Sequence, residues 1–467
     1  MSETLRPKLL VVGSGPGGYV AAIRAGQLGI DTVLVEGDRL GGTCLIRGCI
    51  PSKALIHVAS RFAEMADTAG LRRIGLSLDR PPALDLAAAM RWKDGVVGRL
   101  EAGVAALLER AKVRVLRGWA KFSDAKTCRV TGPDTDASVA AEHVLLATGS
   151  LPTELPELPF GGAVLSSTEA LALDRLPRRL AIVGAGYIGL ELGTAFRKMG
   201  CEVAIVEAQD RILPLYDEEL TAPVRRWLDR AGVRLYLGAQ ALRLRDGEVA
   251  TLEVRTASGE TVALPADNVL STVGRRPRLA GWGFETMAVD LAGPFVAVDD
   301  QCRTAMRNLW AIGDLVGEPM LAHKAMAQGE MVAELIAGER RHFAPAAIPA
   351  ICFTEPEIVS VGLAPREAAG EGVLSAQFPF AANGRALTLE GERAGGFVRV
   401  VARRDNRRVL GIQAVGPQIS ELAGEFAHAL EMGAVLEDIA GTIHAHPTLG
   451  EAFHEAALRA LGHPLHI

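Results

Sequence analysis

No stretch of about 18 apolar residues, the length that spans a bilayer, occurs in this 467-residue chain, so no membrane span is expected. The apolar run near the N-terminus stops at Gly13 and reads as a buried strand, too short for the apolar region of a signal peptide. No basic tract interrupts a net charge of −5, which argues against a nucleic-acid partner. Six cysteines are too few for a disulfide framework in so long a chain and match cytosolic usage. No low-complexity linker separates one part from another, so the domains are expected to pack tightly. What is present is ample core material: 49% of residues are apolar, and the length suits three or four domains of ordinary size. Together these features describe a soluble, cytoplasmic, multidomain protein.

Two of the cysteines stand apart from the rest. Cys44 and Cys49 lie within GGTCLIRGCIPSK, Gly41 to Lys53. In a regular helix, Cα atoms five positions apart are about 8.7 Å from each other, whereas a disulfide needs roughly 4.4–6.8 Å. If these two bridge, the backbone must leave the ideal helix, and Gly48 is the residue that could let it. A strained loop of this kind favours a bridge that opens and closes. Two buried thiols or half of a zinc site are the alternatives. Zinc would need a second ligand pair, and Cys128, Cys201, Cys302 and Cys352 are scattered singly.

An internal duplication organises the chain. Leu9–Val12 leads into Gly13-x-Gly15-x-x-Gly18, a helical run and a strand ending at Glu36. Leu180–Val183 leads into Gly184-x-Gly186-x-x-Gly189, a helix and a strand ending at Glu207. Each half reads strand–turn–helix–strand with an acid at its end, the full context that a dinucleotide fingerprint requires. The glycines let backbone approach a pyrophosphate at a helix N-terminus, and the acid accepts hydrogen bonds from a ribose. Two fingerprints imply two dinucleotides. HVLLATGS, with Thr148 and Gly149, closes the first unit. VLSTVGRRP, with Gly274, closes the second, inside which Asp246-Gly247 reads as a hairpin turn. Beyond about Phe343 strands and helices alternate without a nucleotide motif, which marks a separate C-terminal domain.

Over essentially its whole length the chain resembles the dihydrolipoyl dehydrogenases, flavoprotein third components of 2-oxo-acid dehydrogenase complexes within the class I pyridine nucleotide-disulfide oxidoreductases. The motifs that carry the resemblance are GGTC-x4-C-IPSKAL, GAGYIGLELG, AIGD-x6-LAHKA, FPFAANGRA and HAHPTLGEAF. It implies an α/β protein with two Rossmann-like dinucleotide-binding domains and an α+β dimerisation domain. The expected boundaries are 1–149 for FAD, 150–276 for NAD, 277–343 for a central segment completing the FAD site, and 344–467 for dimerisation.

Residue roles follow from the same resemblance. Gly13, Gly15 and Gly18 would face the FAD pyrophosphate and Glu36 its ribose. Thr43 and Lys53 would lie along the flavin, Asp314 at the ribitol and pyrophosphate, and Ala322 and His323 at the isoalloxazine end. Gly118, Thr148, Gly149 and Gly274 join the cofactor-binding set. Gly184, Gly186 and Gly189 would hold NAD. Glu207, followed by Ala208, Gln209 and Asp210 rather than arginines, favours NAD over NADP because a carboxylate repels a 2′-phosphate. Tyr187 would cover the flavin until nicotinamide displaces it, with a packed aromatic as the alternative. Glu191 would pair with Lys53, with a surface acid as the alternative. His446 would be the general base, oriented by Glu451 and supplied by the partner of a homodimer, while His444 has no assigned role.

The implied reaction is oxidation of protein-bound dihydrolipoamide by NAD⁺, with Cys44 the interchange sulfur and Cys49 the sulfur next to the flavin. The implied partners are lipoyl domains and the E2 core of a 2-oxo-acid dehydrogenase complex, or the glycine cleavage H protein. Glutathione and mercuric reductases would keep the cysteines, but Glu207 argues against NADPH and the C-terminus lacks a further cysteine pair. Transhydrogenases and NADH oxidases would lack the pair between Gly41 and Lys53, and a redox-sensing scaffold would bind FAD without turnover. Within the best motif, Ile46 and Arg47 depart from the family's Asn-Val. Arg47 reads either as a solvated side chain or as a charge that stabilises a cysteine thiolate.

Overall fold

Leu9–Val12 is buried along its whole length, as a central strand of a parallel sheet covered on both faces should be. It pairs in parallel with Thr32–Glu36 on one side and His143–Leu146 on the other. Arg114–Arg117 and Leu309–Ala311 complete a five-stranded sheet. Arg179–Val183 plays the same part in a second parallel sheet, between Glu202–Val206 and Asn268–Ser271, with Arg234–Tyr236 and Val164–Leu165 at its edges. The duplication survives to the register: Leu9 opposes Thr32, and Leu180 opposes Val203.

The computed structural model describes residues 4–245, 247, 249–368, 372–391 and 395–467. Asp246 of the expected Asp246-Gly247 turn lies outside the described residues; the flanking strands Gln240–Arg245 and Thr251–Arg255 pair antiparallel.

Both turns after the central strands need glycine. Gly13 has φ +96° and Gly184 φ +103°, a region that a Cβ disfavours. A Cβ on Gly18 would stand 1.9 Å from the Gly13 oxygen, and one on Gly189 2.2 Å from the Gly184 oxygen. The third glycine of each fingerprint therefore lets its helix, Pro16–Gln27 or Tyr187–Lys198, lie directly against the turn.

After the second unit the chain returns to the first. Leu309–Ala311 enters the first sheet, and the helix Ala322–Ala337 packs on Pro16–Gln27. A Cβ on Gly329 would stand 2.3 Å from the Gly17 oxygen, and one on Gly17 2.8 Å from the Ala325 oxygen. Glycines on both sides thus bring the two helices to backbone contact. The C-terminal domain is a five-stranded antiparallel sheet from Ala350 to Gly416, covered by the helices Ala423–Glu431 and Glu451–Leu461. Phe426 and Phe453 meet edge to face beneath those helices. The fold is α/β, two Rossmann-like units followed by an α+β domain.

One apolar core crosses all three parts. Leu55 and Ala59 of the helix Cys49–Ala66 pack with Leu192 and Phe196 of the second unit and with Cys352, Ile358 and Val415 of the C-terminal domain. Gly18→Ala is expected to cost about 1–3 kcal/mol, because the added carbon meets backbone that cannot turn aside. Gly103→Ala should instead stabilise by up to about 1 kcal/mol: it lies exposed within the helix Leu86–Arg110, with open space at its Cβ position. Chemical denaturation of the two variants should give opposite signs.

Candidate active site

The segment with the paired cysteines is a broken helix. Gly42–Arg47 ends at Gly48, and a new helix, Cys49–Ala66, begins directly after it. At the break Gly48 has φ −137° and ψ −109°. A Cβ there would stand 2.8 Å from the Thr43 oxygen and 3.3 Å from the Cys44 Cα, so the two helices close on each other only with glycine between them. The break brings the two thiols within hydrogen-bonding reach. The other four cysteines are buried apart from them, and no group of metal-ligating side chains occurs among the described residues.

The two sulfurs are chemically unequal. The Cys49 thiol is lowered to about 7, first by the hydrogen bond from Cys44 and then by the Lys53 ammonium, against burial and the Glu191 carboxylate. Cys44 is raised, by the same hydrogen bond, by burial and by the charge on Cys49. Cys49 is therefore the more acidic sulfur of the pair.

Lys53 is fixed by a junction of all three parts of the fold. Its Nζ lies 2.7 Å from Glu191 Oε2 and 4.4 Å from the centre of the Phe353 ring. The other oxygen of Glu191 accepts the Phe353 N–H at 2.9 Å. Glu191 is buried rather than a surface acid.

Cys44, Cys49, Lys53 and Glu191 line a cavity of about 570 Å³. The same cavity reaches Gly13, Gly15, Glu36 and Thr43 of the first turn region, then Gly118, Thr148 and Gly149. Tyr187, Asp314 and Ala322 also line it. His323 does not: its Nε2 lies 2.9 Å from the Pro349 oxygen. Its ring is thus held at Pro349, while its neighbour Ala322 lines the cavity.

The lining fits FAD. A Cβ on Gly15 would meet nothing within 4 Å, so open space for a phosphate lies at the N-terminus of Pro16–Gln27. Glu36 accepts the Ser14 N–H at 2.9 Å on one oxygen and the Asp38 N–H at 2.8 Å on the other. The oxygen that takes the Ser14 N–H also takes the Ser14 hydroxyl at 2.6 Å, so the acceptor capacity left for a ribose hydroxyl lies on the other oxygen, Oε1.

The second turn copies the first. Gly186 caps Tyr187–Lys198 with open space at its Cβ position. Glu207 accepts the Ala185 N–H at 2.6 Å and the Gln209 N–H at 2.8 Å. Gly274, at φ +120°, ends the adjoining strand segment. The first arginine after Glu207, Arg211, gives its guanidinium to the Pro214 oxygen at 2.6 Å. Tyr187 begins the helix of this second turn yet lines the first cavity, and so stands between the two sites.

His446 lies elsewhere. Its Nδ1 is 2.8 Å from Glu451 Oε1, and the other Glu451 oxygen accepts the Thr448 N–H at 2.8 Å. Partial burial opposes ionisation of Glu451, but the Thr448 N–H and the His446 ring hold its carboxyl below the usual range. The His446 side chain is 79% exposed, and neither residue lines the cysteine cavity. His444 is tied instead to Glu425 at 3.0 Å and to the Thr442 oxygen.

Among the cavity residues not singled out from the sequence are Trp119, Ser150, Arg275 and Arg278. Arg275 donates to the Ser150 hydroxyl at 2.8 Å and to its carbonyl at 2.9 Å, and that hydroxyl donates to Asp314. Arg278 stacks 4.8 Å from the Trp119 ring. The signal lay in two segments read separately: Ser150–Pro152 and Arg275–Pro277 form an antiparallel pair.

The unequal acidities can be measured by the pH dependence of Cys49 alkylation in the reduced protein. Cys44→Ala should move the midpoint upward, because it removes the donor to the thiolate. Glu191→Gln should move it downward, because it removes a nearby negative charge. Shifts in the same direction would contradict this arrangement.

Comparison with known proteins agrees with this geometry. The pyridine nucleotide-disulphide oxidoreductase family matches residues 7–329, and its dimerisation domain matches 348–457. The chain is 61% identical to the dihydrolipoyl dehydrogenase of Pseudomonas aeruginosa, over 100% of both chains. It is 43% identical to that of Geobacillus stearothermophilus, over 99% of this chain and 98% of the other. The crystal structure of LpdA from Mycobacterium tuberculosis superposes with a TM-score of 0.88 at 28% identity, over 98% of this chain and 99% of the other. With the broken dithiol helix and the two dinucleotide turns in place, these matches show that the chain belongs to the dihydrolipoyl dehydrogenases, FAD- and NAD-dependent members of the pyridine nucleotide-disulphide oxidoreductase family.

Proposed function

We propose that this chain oxidises protein-bound dihydrolipoamide to lipoamide and reduces NAD⁺, using a redox disulfide between Cys44 and Cys49. The observation that carries this reading is the close, asymmetric thiol pair facing the cavity that holds Lys53 and the first dinucleotide turn. His446 takes a proton from a substrate thiol. The resulting thiolate attacks Cys44 Sγ, forming a mixed disulfide, and Cys49 departs as a thiolate. Its lowered pKa makes it the better leaving group. The second substrate sulfur then displaces Cys44, so the substrate leaves as a disulfide and the enzyme keeps the electron pair as a dithiol. Bound FAD supplies the two-electron relay between that dithiol and NAD⁺.

In this scheme Glu36 and the first three glycines hold FAD, while Glu207 and the second three hold NAD. Thr43, Gly118, Thr148, Gly149, Asp314 and Ala322 extend the FAD site, and Gly274 the NAD site. Tyr187 separates the two. Glu451 orients His446. Because His446 is exposed and away from the cysteine cavity of its own chain, a homodimer that supplies it from the partner subunit fits the geometry, and the matched dimerisation domain supports that assembly. Lipoyl domains carried by an E2 core or by a glycine cleavage H protein are the proposed substrates, in the cytoplasm. No described helix is long and apolar enough to cross a membrane.

A steady-state comparison of dihydrolipoamide with NAD⁺ or NADP⁺, set against glutathione disulfide with NADPH, tests the whole reading. Only the first pairing should turn over well, and a preference for NADP(H) would overturn the role of Glu207. His446→Ala should lose on the order of 10²–10⁴ in dihydrolipoamide oxidation, the usual worth of a general base. Electron transfer from NADH to a dye should fall far less, because it bypasses the thiol step. An equal loss in both assays would make His446 structural.

A further inference from the structure

Arg47, the residue that departs from the family pattern, has its charge engaged away from the sulfurs. The charges that weigh most on Cys44 and Cys49 are each other's and those of Lys53 and Glu191. The Arg47 guanidinium pairs with the Asp38 carboxylate, and both side chains are roughly two-fifths exposed. Both residues line the cavity that fits FAD.

The position of this pair matters because of the loop it closes. Asp38 follows Glu36, and its N–H donates to the Glu36 carboxylate at 2.8 Å. Arg47 is the last residue of the helix Gly42–Arg47, immediately before the Gly48 break. Between them the chain passes Gly41, whose N–H donates to the Ser14 oxygen at 3.0 Å. It then passes Gly42, where a Cβ would stand 2.5 Å from the Gly15 Cα. The loop is thus seated on the first glycine turn at its middle and tied end to end by one ion pair. Burial raises the Glu169 carboxyl, but the hydrogen bonds from Ser166 and, less, the charge of Arg47 bring it down overall. Glu169 caps the short helix Ser167–Ala170, and Ser167 and Thr168 line the cavity too. Arg47 therefore joins the two ends of the loop that forms one wall of the cavity.

We propose that the Arg47–Asp38 pair is a clasp that holds this loop closed over bound FAD, so that release of the cofactor requires the pair to open. Arg47 is then a positioning residue, acting through Asp38 on the loop that carries Thr43 and Cys44. The inference rests on the FAD site assigned above and not on the lipoamide reaction.

Release of FAD from the holoenzyme in dilute urea, followed by flavin fluorescence, tests it. Arg47→Val and Asp38→Asn should each speed release about two- to fivefold at low ionic strength, the scale of one part-exposed ion pair. The double variant should be no faster than either single one, because each change breaks the same contact. In about 1 M salt, where screening acts over ~3 Å, the gap between wild type and variants should narrow. Unchanged release in the single variants, or a double variant whose acceleration is the product of the two, overturns the proposal. Turnover is not needed for this readout, so a failure of the lipoamide assay would leave it interpretable.

Discussion

Everything at the reactive centre hangs on the buried contact of Lys53 with Glu191. A carboxylate out of water needs partners on both oxygens, and Glu191 finds one in the helix that carries Cys49 and the other in the backbone of Phe353. The first unit, the second unit and the C-terminal domain each contribute one member. Losing Lys53 would strand the buried Glu191 carboxylate, whereas the Lys53 ammonium itself keeps partial contact with water. The contact also sets the chemistry, since Lys53 lowers the Cys49 thiol while Glu191 moderates that effect. Domain packing and sulfur reactivity are in this way one arrangement. The apolar core around Leu55, Phe196 and Ile358 makes the arrangement rigid.

Most of the architecture was legible because the physics behind it is local. A strand that must be buried on both faces reads as LLVV or LAIV, and a turn that must pass under a helix reads as glycine at fixed spacing. The Gly48 break was legible for a related reason: two cysteines five positions apart can bridge only if the helix breaks, and Gly48 is the residue that could let it. Glu191 was harder, because nothing in YIGLELG says whether its acid faces solvent or a lysine from a helix 138 residues away. Arg275 and Ser150 were missed because their contact depends on an antiparallel pairing between distant strands. Periodicity within a segment carries no information about such a pairing.

His323 and Arg47 show the opposite limit, where a motif does not say which way a side chain turns. The motif around His323 matches the family, yet its ring is turned to the Pro349 carbonyl at the edge of the C-terminal domain. Arg47 stands between two cysteines in sequence, yet its nearest opposite charge lies nine positions back, and the guanidinium follows that charge. In both cases one hydrogen-bonding partner from outside the motif decides where the side chain goes.

The return of Leu309–Ala311 to the first sheet bears on the order in which the chain can fold. The second unit, from Val164 to Ser271, has all its sheet strands in hand once the ribosome has passed that point. The first unit begins the chain but lacks an edge strand and the helix Ala322–Ala337 until much later, and Gly17 has no Gly329 to rest against. An inserted domain with local contacts is therefore free to form while its host waits with one flank of Pro16–Gln27 uncovered. Of the two dinucleotide units, the one that is made first is the one that finishes last.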